Sequence, residues 1–503
     1  MKFITIQSFI NGQYSKTDTS KFLAIEYPAT NEKIGEAAVA GDGELKEAIL
    51  HAKTAQKHWA ALLPADRARI LHRASELIRE KNDELAALEV WDTGKPIQEA
   101  LSVDIVSGAD AVEYFAHAAA LLKGDYYPLG KNYAYSVPEP LGVVGGIGAW
   151  NYPFQIACWK SAPALAGGNA MIFKPSELTM MTALKLAEIY QAAGLPDGLF
   201  QVLLGDAELG KAMVAHPDIH KISLTGEVGT GKKIMASAAA TLKHVTLELG
   251  GKSPLVIFDD ADISNAVQAA MMANFYTQGE ICSNGTRVFV HSSIEKEFLE
   301  ELKRCTEKLI VGDPMDPATQ IGALIDRNHF KKVTGYIELG TKGGAKRYIG
   351  SDTVNLNPSS VASEDSGRSH EELSAGNFVS PTVFTECNDE MQIVCEEIFG
   401  PVMSVLNFDS EEEAIRRANA TPFGLAAGLF TKDLNRAHRV SASLQAGIVW
   451  INNYNLTPIE IPFGGYKQSG IGRENSMEAL RHYTQIKTVF VENGDVDSPY
   501  RLE

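Results

Sequence analysis

The chain has 503 residues, 45% hydrophobic and 22% charged, with a formal net charge of −17. This length exceeds one ordinary core and implies two or three domains, and the acidic balance argues against nucleic acid, whose phosphates need basic patches. It leaves room for a small cationic ligand, which an acidic surface attracts at long range.

Helices are predicted over 44–60 and 65–91, where Leu, Ile and Ala recur at helical spacing between Arg and Glu. A further helix covers 98–123 and ends near Gly124. Residues 125–140 alternate tyrosine with polar residues and carry prolines, as a projecting β-hairpin does. Short apolar strands are expected at 141–147, 170–173, 200–204 and 221–224, with helices between them, including an amphipathic one over 179–194 closed by Gly194. Alternation of this kind signals a parallel α/β sheet. The pattern restarts with a strand at 255–258, a helix at 262–278, a strand at 288–291 and a helix at 294–309. Residues 351–376 have no apolar period and are expected to form a long surface loop, and 486–492 alternates like an edge strand. The most apolar stretch, about 141–173, is interrupted by Gly, Pro, Asn and Lys, so no membrane span is expected. Five cysteines without paired metal spacing, and no signal-peptide pattern, suggest reduced thiols and a cytoplasmic setting.

Three residues stand out chemically. Cys282 sits between Gly279 and Gly285, where the backbone can turn tightly and leave the sulfur accessible, as a thiolate nucleophile requires. Cys158, in an apolar run beside Trp159, and Cys305, in a charged helix, read as packing residues. Glu248 lies between apolar neighbours ahead of Gly250 and Gly251, which suits a general base of raised pKa or, more simply, a strand-end partner for Lys252. Asn151, between Trp150 and Tyr152, can donate its amide to a developing oxyanion or be an ordinary turn residue. Gly146 and Gly148 begin like a dinucleotide fingerprint without its third glycine. The stretch 226–233 nearly matches a P-loop but has Lys where Ser or Thr must hold magnesium, so it is better suited to a pyrophosphate on helix amides than to ATP. Glu177, after the 170–173 strand, can accept hydrogen bonds from a ribose diol and would repel a 2′-phosphate.

Taken together, the segments 146–157, 159–164, 247–254, 274–285, 451–455 and 462–474 resemble those of aldehyde dehydrogenases, and the likeness runs from 9–12 to the last strand. Within that family the chain most resembles the betaine aldehyde and 4-trimethylaminobutyraldehyde dehydrogenases. The resemblance implies an α/β fold of the aldehyde dehydrogenase type. A Rossmann-type cofactor domain would span 1–123 and 141–250, and a catalytic domain 251–468. The hairpin 124–140 and the segment 469–503 would form a small β oligomerisation element. It implies NAD as cofactor, with NADP as the second candidate. Cys282 would attack the aldehyde, Asn151 and the Cys282 N–H would hold the oxyanion, and Glu248 would activate water on the thioester. Lys160 and Glu474 match a proton relay to that base; the simpler reading is a buried structural pair. Cofactor contacts carry over to Gly148, Ala149, Trp150, Lys174, Pro175, Ser176, Glu177, Gly226, Glu227, Val228, Gly229, Leu249, Glu397 and Phe399.

An aromatic cage of Tyr152, Trp159, Tyr276 and Tyr454 matches substrate positions and suits a quaternary ammonium group. The expected substrate is betaine aldehyde, with other amino, trimethylamino or aliphatic aldehydes as alternatives. A non-catalytic structural protein of the same fold is the rival of another class, and the intact Cys282, Glu248 and Asn151 weigh against it. Potassium is implied through Asp92, with Ile25, Glu26, Leu178 and Leu242, and at a second site through Lys467 and Gly470. The partners expected are a small cationic aldehyde and further copies of the chain, as homodimer or homotetramer, with neither nucleic acid nor membrane. Glu280 stands where many relatives have Gln and is expected to raise the thiol pKa, and Glu227 replaces a small residue where a phosphate would lie.

Overall fold

Five parallel strands form the centre of an eight-stranded sheet in this computed structural model, which describes residues 3–16, 19–357 and 369–500. In space they run His244–Leu249, Lys221–Gly226, Val143–Ile147, Ala170–Lys174, Phe200–Val202. Their side chains are almost wholly buried on both faces, so they read in sequence as short continuous apolar runs rather than alternating ones. The connections reverse direction between Val143–Ile147 and Lys221–Gly226. The loops after these two strands therefore diverge and open a crevice at the carboxyl edge of the sheet, where α/β folds hold ligands. Gly148 belongs to the first of these loops, and a Cβ there would stand 2.8 Å from the Phe173 ring.

A second, seven-stranded sheet has the order Lys346–Ile349, Thr382–Thr385, Val402–Phe408, Arg287–His291, Pro254–Ile257, Ala426–Phe430, Ile448–Ile451, parallel except at its first strand. The helix Ile263–Phe275 returns the chain between two of its central strands and delivers the segment that carries Cys282. The hairpin Tyr126–Leu129 and Asn132–Pro140 is present and pairs with Thr484–Val491 in a separate antiparallel sheet. Tyr126, Tyr127, Leu129, Tyr135, Val137, Ile486 and Phe490 are exposed on these three strands. Among the described residues no helix is long and apolar enough to cross a membrane.

Several elements depart from the sequence reading. The helix expected over 65–91 is two helices, Pro64–Glu80 and Asn82–Thr93, separated at Lys81, whose ψ of 17° leaves the helical range. The apolar spacing continues across that one residue, so periodicity does not register the break. The 98–123 helix contains a widened π turn at Ala100–Asp104. The loop expected over 351–376 holds Leu356–Asn357, paired with Val311–Gly312, and a short helix His370–Leu373 whose Ser369 and Glu372 form a capping box; its 358–368 portion lies outside the described residues. The segment from 469 onward is not wholly part of the small antiparallel sheet, since Gly470–Ile471 pairs with His244–Leu249 at the edge of the eight-stranded one. An unanticipated N-terminal sheet of Ile4–Ile6, Glu32–Ala38 and Phe22–Tyr27 packs beside the helix Asn82–Thr93.

Candidate active site

Cys282 follows a tight turn, Tyr276–Gly279, in which Thr277, Gln278 and Gly279 all have left-handed φ angles of 49°, 41° and 80°. Glycine is required at 279, where a Cβ would lie 2.2 Å from the carbonyl carbon of Gly400. The turn leaves the Cys282 side chain half-buried where two clefts meet. One, of about 660 Å³, is the crevice at the carboxyl edge of the eight-stranded sheet. The other, of about 850 Å³, is lined from the opposite side by the 102–117 helical segment and the 453–463 loop. Asn151, Glu248 and Cys282 line both clefts. Thus the thiol, the amide and the carboxyl proposed from the sequence converge on one point, reachable from two sides.

Asn151 directs its Nδ2 toward the Glu280 carbonyl at 3.0 Å, which fixes the amide. Glu248 is the penultimate residue of the strand His244–Leu249; it is buried, and neither carboxylate oxygen has a hydrogen-bond partner. Burial pushes its pKa well up and nearby Glu474 adds to this, while Lys160 and Arg473 pull it back. Burial likewise raises the Cys282 thiol to about 12, helped by Glu248 and Glu397. Glu280 is not the acid responsible, contrary to the sequence expectation. Its side chain turns away, accepting from the Ile325 N–H at 3.0 Å and from Gln278 at 3.1 Å. Lys160 donates to Glu474 at 2.7 Å and to Ser223 at 2.9 Å, and Ser223 donates to Glu474 at 3.0 Å. This buried triad lies against Glu248, so pairing and relay remain compatible.

In the crevice, Gly148, Ala149, Trp150, Lys174, Ser176, Glu177, Gly226, Glu227, Leu249, Glu397 and Phe399 all contribute to the wall. Pro175, Val228 and Gly229 do not; Val228 and Gly229 form the first turn of the helix Val228–Ala238, whose backbone amides have no partner within the helix. Glu227 precedes that helix with its side chain exposed to solvent, and makes no cap hydrogen bond. Glu397 accepts from the Gly251 N–H at 3.0 Å and is raised by burial to about 7. Phe399 has φ 64°, and its carbonyl meets His329 Nε2 at 2.6 Å; both rings pack edge-on against Trp150. His329, Lys211, Lys233 and Lys332 also line this crevice and were missed from the sequence, where only the Lys232–Lys233 pair after the glycines gave any signal.

In the other cleft, Tyr152, Trp159, Tyr276 and Tyr454 are all present. They are not equivalent. The Lys95 ammonium lies 3.9 Å from the Tyr152 ring centroid, so that ring already holds a cation. Tyr454 is buried against Trp450, and its hydroxyl donates to the Ser283 carbonyl at 2.9 Å, so it mainly supports the nucleophile loop. Trp159 packs edge-on against Phe463, a cleft residue that lies in the 462–474 motif but carries no sequence signal of its own. Asp110, Glu113 and Glu460 make the wall acidic.

Asp92 is buried: Oδ2 accepts from the Met181 N–H at 2.8 Å, while Oδ1 has no hydrogen-bond partner. A buried carboxylate oxygen without a hydrogen-bond partner is where a cation would relieve the cost of burial. The strand holding Ile25 and Glu26 packs against the helix of Asp92, and Leu178 lies three residues before Met181. Leu242 does not belong with them. It precedes the amino end of His244–Leu249, whereas Leu178 follows the carboxyl end of the parallel strand Ala170–Lys174, so the two lie at opposite edges of the sheet. Lys467 and Gly470 flank a single turn, and the Lys467 ammonium donates to the carbonyls of Asn419 and Thr421. Among the described residues no three His, Cys, Asp or Glu side chains form a metal cluster.

The Aldehyde dehydrogenase family model matches residues 14–489. A Betaine aldehyde dehydrogenase of Agrobacterium fabrum is 55% identical over 493 residues, 98% of this chain and 97% of its own. One of Vibrio vulnificus is also 55% identical, over 98% and 99%. Among solved structures, an NAD+ complex of an aldehyde dehydrogenase from Bacillus cereus superposes with a TM-score of 0.91 at 39% identity, covering 98% of this chain and 97% of that one.

Proposed function

This chain belongs to the aldehyde dehydrogenase family, and from that premise we propose that it oxidises betaine aldehyde to glycine betaine with NAD. The observation that carries the reading is that Asn151, Glu248 and Cys282 line both clefts, so an aldehyde carbon from one cleft and a cofactor from the other can meet at the Cys282 sulfur. The residues of the crevice fit NAD: glycine-bordered backbone for the phosphates, Glu177 for a ribose diol, Glu397 and Phe399 beside the thiol. When bound, NAD supplies the hydride acceptor.

The protein's share follows from the geometry. The Cys282 sulfur forms a bond to the aldehyde carbon, and its proton leaves by way of a neighbouring base. The second N–H of Asn151 Nδ2, whose first is held by the Glu280 carbonyl, and the Cys282 N–H would hold the alkoxide oxygen that results. Once the carbon is oxidised, Glu248 takes a proton from water, which attacks the thioester and releases carboxylate and thiol. A carboxyl kept protonated by burial cannot do this at neutral pH; the buried Lys160 opposes that rise and gives the proton a route toward Glu474.

Betaine aldehyde is favoured by the names of the relatives, by the Trp159, Tyr276 and Phe463 rings, and by the acidic wall. Glu177 disfavours a 2′-phosphate, although Lys211 and Lys233 on the same cleft give NADP a weaker hold. Potassium at Asp92 and an oligomer built on the exposed three-stranded sheet complete the reading. The test is a steady-state panel: kcat/KM for betaine aldehyde is expected to exceed that for propanal at least about tenfold with NAD, and Cys282→Ala to abolish NADH formation. A higher value for propanal defeats the substrate assignment.

A further inference from the structure

One buried carboxylate next to the site takes no part in the chemistry above. Glu99 ends the short helix Ile97–Glu99 and is 6% exposed. It accepts from the Thr277 N–H through both oxygens, at 3.1 Å each, and from the Thr277 hydroxyl at 2.9 Å. Thr277 Oγ1 also lies 2.7 Å from the Tyr152 hydroxyl. When Glu99 is ionised it only accepts, so Thr277 donates to it and the Tyr152 hydroxyl is left to donate to Thr277. Thr277 and Gln278 are consecutive non-glycine residues with left-handed φ angles, a conformation that L residues leave unless something holds them. Glu99 reaches across 178 positions of sequence to hold the first of them, five residues before Cys282.

Around this carboxylate the charges are organised. Lys95 forms a buried ion pair with Asp104 and lies over the Tyr152 ring. Burial pushes Glu99 up to about 8 and Asp104 adds to the rise, while Lys95 and the Thr277 hydrogen bonds pull it back. Tyr276 lies within the field of both Glu99 and Asp104. One anchor thereby touches the turn that presents the nucleophile and, through Thr277, two aromatic residues of the substrate cleft.

We propose that Glu99 is a positioning residue: by clamping Thr277 in its left-handed conformation it sets where the Cys282 sulfur stands and orients the Tyr152 ring. The proposal rests on the reading of Cys282 as nucleophile, and two readouts keep their failures apart. The first is the rate at which iodoacetamide alkylates Cys282, which needs no aldehyde or NAD; it is corrected for the other cysteines with Cys282→Ala. The second is the division of the kinetic effect between kcat and aldehyde KM. Glu99→Gln keeps one acceptor oxygen but turns a donor toward the Thr277 hydroxyl. It is expected to slow alkylation about threefold or more and to lower kcat similarly, with the KM for NAD unchanged. Thr277→Val removes the hydroxyl but keeps the N–H contact. It is expected to raise the aldehyde KM about threefold to tenfold with a smaller change in kcat, and Thr277→Ser to restore it. Thermal melts verify that the variants are folded. Wild-type alkylation in folded Glu99→Gln, together with a wild-type aldehyde KM in Thr277→Val, overturns the proposal. Loss of activity in Cys282→Ala is separate from either result, and its absence instead refutes the nucleophile assignment.

Discussion

Glu248 owes its room to a glycine far away in sequence. A Cβ on residue 464 would lie 2.7 Å from Glu248 Oε1 and 2.8 Å from Cδ of Arg473. Packing, not hydrogen bonding, therefore holds the carboxyl, which is consistent with a base that has to turn between water and its relay. Gly464→Ala is expected to displace Glu248 while leaving the other groups of the cofactor crevice in place, since residue 464 is not part of its wall. Since Glu248 serves hydrolysis of the thioester, the first turnover should survive: stopped-flow traces should show a burst of NADH of about one per subunit. The steady state that follows should then be slower by about 10²-fold, the usual scale of a lost general base. A folded Gly464→Ala enzyme with the wild-type steady-state rate counts against Glu248 as the base that activates water.

Among the elements, the last turn of the helix Asn82–Thr93 has the clearest unmet requirement. Asp92 Oδ2 is used by the Met181 N–H, but Oδ1 is buried without a hydrogen-bond partner, and burial pushes the carboxyl up to about 8. A cation bound there stabilises only the folded chain, because the strand Phe22–Tyr27, Leu178 and the helix meet only on folding. Replacing sodium by potassium at constant ionic strength is expected to raise the melting temperature by about 1–3 °C, and Asp92→Asn to remove the difference. An equal gain in Asp92→Asn moves the ion elsewhere. The elements that were legible in sequence are those whose signal is local. The strands buried on both faces show as short apolar runs, and the hairpin shows as tyrosines alternating with polar residues. Cys282, Glu248 and Asn151 were legible because each stands within three residues of a glycine or proline in a short motif. By contrast, the break at Lys81 and the π turn at Ala100–Asp104 interrupt no apolar period. The Lys95 contact with Tyr152, the Glu99 clamp and Phe463 on Trp159 join residues far apart in sequence, and pairing of that kind leaves no local mark. Leu242 was misplaced for the complementary reason: position along the chain does not say at which edge of a sheet a loop lies.

For the whole molecule, the net charge of −17 gains meaning from where some of it lies. Asp110 and Glu113 on the cleft wall are both engaged by Arg79, at 2.7 and 2.6 Å, so much of their charge is compensated. Glu460 is exposed at the same cleft with no ion pair among the described residues, and its field reaches Tyr114. A cationic aldehyde thus meets an attractive general field and one uncompensated carboxylate near the aromatic rings. Such steering is screened over a Debye length of about 8–10 Å near physiological ionic strength. With potassium held fixed, kcat/KM for betaine aldehyde is expected to fall about threefold to tenfold between roughly 20 mM and 500 mM added sodium chloride, while that for neutral propanal stays nearly flat. Glu460→Gln should flatten the betaine aldehyde slope and leave propanal unchanged. If both aldehydes show the same salt slope, the dependence belongs to the cofactor or to assembly, and the acidic cleft does not guide the substrate; if only the cation responds but Glu460→Gln alters nothing, the attraction comes from the molecule's overall charge rather than from this carboxylate.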